Sequence, residues 1–194
     1  MWLGSHNSLS YLKPRQWWLR PFAWVGRCQS LTIPEQWNHG VRYFDIRIRF
    51  KVDKVISGHG LIDYDVNMWD WLEYLNKRAE SEKVKCVVRL MLETKGRNDD
   101  ARFKCYVKVW KSFYPNLIFV GGLRKDPFEV IAGVDSVSEN HCYQLFQDYG
   151  AKTWWQKLKG LKFPYPRYWA KRKNNEYRQN AKDGVYTILD FVEI

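Results

Sequence analysis

The segment Cys86–Leu92 is a near-continuous apolar run of only seven residues, and no other stretch constrains the fold as much. A run this short and this β-rich suits a strand covered on both faces, the environment of a parallel sheet flanked by helices. It opens two residues earlier, at Val84, and further β-rich runs occur at Val41–Ile48, Val52–Ser57, Leu117–Val120, Tyr143–Phe146 and Val185–Val192. Helical periodicity lies between several of them. Met68, Leu72 and Leu75 share one face after Asp65, and Phe103, Val107 and Trp110 share another after Asp99 and Asp100. Strands alternating with helices predict the α/β class, and about seven such strands would close a small (β/α) barrel. An open sheet satisfies the same pattern. With 194 residues, 45% of them hydrophobic, and no internal repeat or low-complexity linker, one domain spanning residues 1–194 is expected.

Charge narrows the partners. The 32 Lys and Arg exceed the 21 Asp and Glu by 11, which favours a polyanionic partner such as nucleic acid or an anionic lipid surface. The excess is concentrated. Residues 151–182 hold ten Lys or Arg against the single acid Glu176, together with Trp154, Trp155, Trp169 and four Phe or Tyr rings. A smaller patch at Ser10–Arg27 sets Trp17, Trp18, Phe22 and Trp24 among Lys13, Arg15, Arg20 and Arg27 without an acid. Basic residues interleaved with aromatics fit a membrane interface or a single-stranded nucleic acid track. Eleven Trp in a chain of this size tilt the choice toward the membrane, and Trp17, Trp18, Trp154 and Trp155 are the candidate membrane-binding residues. No run of about eighteen apolar residues and no secretory signal is visible, so contact would be peripheral and the location cytoplasmic or at a membrane surface if Met1 is the native start. The four cysteines, Cys28, Cys86, Cys105 and Cys142, are widely spaced and point to neither a zinc site nor a disulfide scaffold.

Two histidines occupy positions where a barrel of this kind builds its active site. His6 follows the short apolar start Trp2-Leu3-Gly4-Ser5, and His59 stands between Gly58 and Gly60 directly after a strand. Between them, Asp45 and Arg47 lie two apart on a strand and hence on one face. Two histidines and an arginine suit phosphodiester cleavage: one ring removes a proton, the other protonates the leaving oxygen, and the cation stabilises the phosphoryl charge. Histidine fits both tasks because its pKa lies near neutrality. His39 and His141 have no neighbouring acid or nucleophile and read as structural.

The order Gly4-Ser5-His6-Asn7-Ser8, then Gln36 and Gly40–Arg47, then Ser57-Gly58-His59-Gly60 resembles phosphatidylinositol-specific phospholipase C. The match is strongest over Leu3–Leu61, with echoes at Leu90–Glu93, Gln147–Tyr149 and Leu189–Phe191. The resemblance implies a single distorted (β/α) barrel of the TIM type. It also implies that His6 takes the proton from the inositol 2-hydroxyl and His59 protonates the departing glycerol oxygen, giving diacylglycerol and a cyclic inositol phosphate. Asp45 would orient the site and Arg47 would hold the phosphate. Asn7, Glu93, Asp148, Tyr149 and Asp190 are the residues placed by the resemblance around the substrate, and Asp190 has the further option of pairing with a catalytic histidine. An arginine at position 47 matches metal-free bacterial members. Asn7 and Glu93 match the calcium-ligand positions of eukaryotic members. Calcium takes six to eight oxygen ligands, and a site of Asn7, Asp45 and Glu93 beside Arg47 would be poor and repelled, so no metal cofactor is expected. The expected partners are a phospholipid substrate and an anionic membrane surface, met by a monomer, with nucleic acid less favoured. The competing readings are another lipid or glycerol phosphodiesterase of similar fold and a catalytically idle membrane- or nucleic-acid-binding domain.

Overall fold

A computed structural model describes residues 2–52, 54–93, 99–123, 126, 137–140 and 166–194. Among the described residues, eight strands form one sheet: β1 (Trp2–Ser5), β2 (Val41–Phe50), β3 (Val55–His59), β4 (Ile62–Tyr64), β5 (Cys86–Leu92), β6 (Leu117–Leu123), β7 (Val137–Asn140) and β8 (Tyr186–Leu189). The helices described with them are α1 (Ala23–Gly26), α2 (Ile33–Asn38), α3 (Met68–Ser81), α4 (Asp99–Phe113) and α5 (Pro166–Gln179), with a 3-10 turn at Trp17–Phe22. Every residue of β5 is buried, as its composition requires of a strand covered on both faces.

The parallel path runs β7, β8, β1, β2, β5, β6, so the carboxyl ends of six strands open on one side of the sheet. Ligands of α/β sheets bind on that side. The α/β class therefore holds. Among the described residues the sheet is an open path, with β6 and β7 at its two free ends and no pairing between them. The expected strand Val52–Ser57 is also corrected: Lys51 donates its backbone N–H to the Lys54 carbonyl at 2.9 Å, turning the chain so that β3 starts at Val55 and runs back antiparallel along the end of β2. β3 and β4 then form a hairpin whose tip is Gly60, at φ +58°, a left-handed conformation that costs glycine no steric strain.

Helices seal the sheet where their periodicity says they should. In α3, Met68, Leu72, Leu75 and Ala79 are buried, and the Asn67 side chain caps the first turn by accepting from the Trp69 N–H. In α4, Phe103 and Trp110 face the core behind the acidic pair Asp99 and Asp100, which suits the positive end of the helix dipole. The short α2 is stabilised by a reciprocal capping box between Thr32 and Glu35, with Pro34 in its first turn. α5 is amphipathic: Trp169, Ala170 and Asn174 are buried while Lys171 and Arg172 are exposed. In this half of the basic 151–182 segment, Trp169 packs inward and is not part of an aromatic surface. Its other half, with Trp154 and Trp155, lies outside the described residues, as do Tyr143–Phe146 and His141.

Candidate active site

Four strands bring the candidate residues together. His6 follows β1, Asp45 and Arg47 sit on β2, His59 ends β3, and Asp190 follows β8. Parallel pairing of β1 with β8 sets Ser5 opposite Leu189, so the next residue of each strand, His6 and Asp190, emerges side by side. The His6 N–H donates to the Leu189 carbonyl at 3.0 Å, continuing the ladder by one step. Gln29 clamps this junction: its Nε2 donates to the carbonyls of His6 (2.9 Å) and Leu189 (2.8 Å), and its Oε1 accepts from the Val192 N–H at 3.2 Å. Gln36 holds the following loop by donating to the Ser8 carbonyl at 2.8 Å. Asn174 on α5 fixes the far side by donating to the carbonyls of Asp190, Phe191 and Ile194.

His6 is held from both ring nitrogens. Nδ1 lies 2.7 Å from Asp190 Oδ1, and Arg47 Nη2 lies 3.3 Å from Nε2. A guanidinium can only donate and a carboxylate can only accept, so both neighbours select one tautomer: hydrogen on Nδ1, lone pair on Nε2. Asp190 is itself buried beside the ring. It thus takes up the pairing option left open for it above.

Asp45 is fully buried and surrounded by donors. Its Oδ2 accepts from Arg47 Nε (3.0 Å), Arg47 Nη2 (2.8 Å) and the Asn7 N–H (3.0 Å), and its Oδ1 accepts from Arg89 Nε (2.9 Å). Burial opposes its charge, but Arg47, Arg89 and His6 outweigh burial and hold the carboxyl well below the usual carboxylate range. Asp45 is therefore a fixed anion that aims Arg47. Asn7 reaches this position with φ +46°, and neither atom of its buried side-chain amide has a hydrogen-bond partner among the described residues.

His59 stands across the cleft, its ring 6.2 Å from that of His6 and perpendicular to it. Its Nδ1 lies 3.2 Å from the Gly26 carbonyl, which can only accept, so Nδ1 carries hydrogen and any further proton sits on Nε2. Burial first, then the charges of His6 and Arg47, lower its pKa below 6.5. The hairpin that bears it is gripped by Arg49, which donates to the Gly60 carbonyl, to the Ile62 carbonyl (3.4 Å) and to Asp63 Oδ1 (2.7 Å). A Cβ on Gly58 would lie 2.8 Å from the Arg49 side chain, so only glycine admits this grip. Glu93 completes the ring of charges, 3.5 Å from both Arg47 Nη1 and Arg49 Nη2.

His6, Asn7, Asp45, Arg47, His59, Glu93 and Asp190 are thus one constellation. Trp17 and Trp18 lie on the exposed 3-10 turn, and Asp148 and Tyr149 lie outside the described residues. Sequence reasoning missed Arg89, Arg49 and Gln29. The first had a signal: a cation inside an otherwise apolar strand of a parallel sheet demands a buried anion. The second had one too, since Arg49 extends the alternation of Asp45 and Arg47 on one strand face. Gln29 carried none.

No family model matches the chain, and no curated protein matches it in sequence. Solved structures do. It superposes on phosphatidylinositol-specific phospholipase C from Listeria monocytogenes with a TM-score of 0.63 at 17% identity, covering 98% of this chain and 87% of that one. A variant of the phosphatidylinositol-specific phospholipase C from Staphylococcus aureus gives 0.64 at 14% identity, covering 98% and 84%. At these identities the likeness establishes a shared fold.

Proposed function

We propose that this chain is a metal-independent phosphodiesterase of the phospholipase C type, acting on phosphatidylinositol-class lipids through His6 and His59. The observation that carries the reading is the opposed pair of histidines, 6.2 Å apart, with Arg47 reaching His6 at the mouth of a fold shared with phospholipases of that class.

Each residue has a task that its surroundings support. His6 Nε2, freed of hydrogen by the Asp190 contact, takes the proton of the attacking inositol hydroxyl, and Asp190 stabilises the imidazolium that results. Arg47, steered by Asp45, presents N–H groups to the phosphoryl oxygens as charge builds there. His59 Nε2 gives its proton to the departing glycerol oxygen. The products are diacylglycerol and a cyclic inositol phosphate. Completion of the sheet into a TIM-type barrel belongs to the same reading, as does peripheral binding to lipid.

The donor set does not fit calcium. The anionic oxygens it would need are already engaged by cations: Asp45 Oδ2 by Arg47, Asp45 Oδ1 by Arg89, and Glu93 by Arg47 and Arg49, which leaves only the neutral amide oxygen of Asn7. Hard cations need an anionic oxygen cage, and three guanidinium groups in its place repel one.

The test is turnover of phosphatidylinositol in mixed micelles with excess chelator, followed by phosphorus NMR of the released headgroup. Cyclic phosphate should form with chelator present. His6→Ala and His59→Ala should each lower kcat by about 10²- to 10⁴-fold with the fold retained. Folded variants with near-normal turnover would refute the assignment.

A further inference from the structure

The spacing of the cysteines pointed away from a zinc site, yet the fold carries one of them to the catalytic pair. Cys28 leaves α1 two residues after Gly26, and its backbone is pinned there: its N–H donates to Ser10 Oγ at 2.9 Å, and its carbonyl accepts from the Phe191 N–H at 2.6 Å. The second bond joins Cys28 to the residue after Asp190. As a result a ring nitrogen of His6, the Cys28 sulfur and a carboxylate oxygen of Asp190 all lie within 4.8 Å of one another, and all three residues are buried.

We infer that His6, Cys28 and Asp190 form an inhibitory site for Zn²⁺ at the heart of the candidate active site. Imidazole, thiolate and carboxylate are the ligand types zinc prefers, and three protein ligands with a fourth position open to the cleft is a common zinc arrangement. Tetrahedral ligands about 2.0–2.3 Å from the metal, one of them sulfur, lie roughly 3.3–3.6 Å from one another, so a gap of 4.8 Å must close by about 1.3 Å and the 2.7 Å contact of His6 with Asp190 must open by about 0.6 Å. Rotation of Cys28 about its Cα–Cβ bond covers the closing distance. The thiol gives its proton to solvent on binding, and the proton on the His6 nitrogen that faces Asp190 is exchanged through solvent for one on Nε2, so the bound ring stays a neutral imidazole and Nε2 can no longer accept a proton.

Capture of the metal disables the base. A His6 ring bound through the nitrogen facing Asp190 loses the contact that orients it and gains a positive neighbour in place of an anion. The Cys28 sulfur also lies 3.7 Å from the Gly26 carbonyl that orients His59, so movement of the sulfur disturbs the second histidine's support. The soft sulfur excludes calcium and magnesium, so the site responds to zinc without making the reaction metal-dependent.

Two measurements test this on the full chain in a background carrying Cys105→Ser and Cys142→Ser, which leaves Cys86 in the strand core and Cys28. The first is independent of activity: Co²⁺ titration should produce the charge-transfer absorption of a cobalt–thiolate bond, displaced by Zn²⁺ and absent in Cys28→Ser. The second rests on the reading of His6 as the base: Zn²⁺ should inhibit lipid cleavage reversibly with chelator. In Cys28→Ser and Cys28→Ala, half-inhibition, scaled to each variant's own metal-free turnover, should need about tenfold to hundredfold more zinc, the cost of losing even an outer-shell partner. Absence of the thiolate band, or equal zinc sensitivity with and without the thiol, overturns the proposal. A thiolate band in a protein that cleaves no phosphodiester overturns the proposed function while leaving the metal site standing.

Discussion

At the scale of single residues the site is a set of charges that fix one another. Asp45 is ionised because two arginines and His6 surround it, and Arg47 is aimed because Asp45 holds two of its nitrogens. His59 differs, since its only described polar partner is a carbonyl, and burial with the positive charges of His6 and Arg47 lowers its pKa below 6.5. A general acid works only while protonated, so a lowered pKa moves the alkaline limb of the pH profile to lower pH. In kcat/KM, which reports the free enzyme, that limb should lie below 6.5. Bound phosphodiester adds an anion beside the ring and favours its charged form, so the limb of kcat should lie higher. Steady-state kinetics between pH 5 and 9 check both, and coincident limbs would place His59 away from the phosphate. His6, Asp45, Arg47 and His59 were legible because each is a charged or titratable side chain at a strand end or on a strand face. Gln29 was not: its role is set by backbone carbonyls brought together from positions far apart in the chain, and nothing in its neighbours announces that.

At the scale of elements, β2, β5, β6 and β8 followed from apolar runs bounded by turns, and α3 and α4 from their periodicity, whereas β7, Val137–Asn140, offered no apolar run to read. The β3–β4 hairpin was missed because a reversal at Lys51–Lys54 and a three-residue strand, Ile62–Tyr64, leave little pattern to read. That hairpin carries His59, and beyond the β2–β3 ladder Arg49 fastens its tip to β2 through Gly60, Ile62 and Asp63. Arg49→Met should keep the fold, because the rest of the sheet is untouched, and lower turnover by up to about 10²-fold, the cost of misplacing a catalytic group by roughly 1 Å. Arg49 touches no reacting atom in this scheme, so its effect passes through the hairpin of His59 or through Glu93, which it shares with Arg47, and the leaving group tells the two routes apart. A substrate with a nitrophenol leaving group needs little protonation by the acid. On it the Arg49→Met and His59→Ala variants should recover most of their activity, while His6→Ala should not. A defect of equal size on both substrates would show that Arg49 acts elsewhere.

At the scale of the whole molecule, net charge and aromatic content pointed to a surface before any fold was known, and the fold sorts the two patches differently. Trp169 in the second patch packs into the core. In the first, Trp17 and Trp18 are 76% and 55% exposed, with Phe22 and Trp24 exposed nearby. Among the described residues, no helix is long and apolar enough to cross a membrane. The first patch is joined to the site: Gln16 donates to the Leu61 carbonyl at 3.1 Å and accepts from the Asp63 N–H at 3.0 Å, bracketing the hairpin tip beside His59, where Leu61 is 80% exposed. The segment that carries the exposed rings is therefore tied through Gln16 to the hairpin that bears His59 and Leu61. Isolated exposed apolar residues need no explanation, but four exposed within eight residues, on a segment tied to a catalytic hairpin, do. Replacing Trp17 and Trp18 by Ala should weaken binding to phosphatidylinositol-containing vesicles, measured by sedimentation, and slow cleavage in bilayers in proportion. Cleavage of a short-chain monomeric substrate should be unchanged, because neither ring contacts a catalytic residue. Lys and Arg near an anionic surface contribute about 1 kcal/mol each, a contribution that falls with salt, whereas burial of tryptophan at headgroup depth does not depend on it. Raising the salt should thus weaken the wild type and the double variant by the same factor. Loss of activity on the monomeric substrate, matched to the loss on vesicles, would mean that these tryptophans support the fold and not the lipid surface.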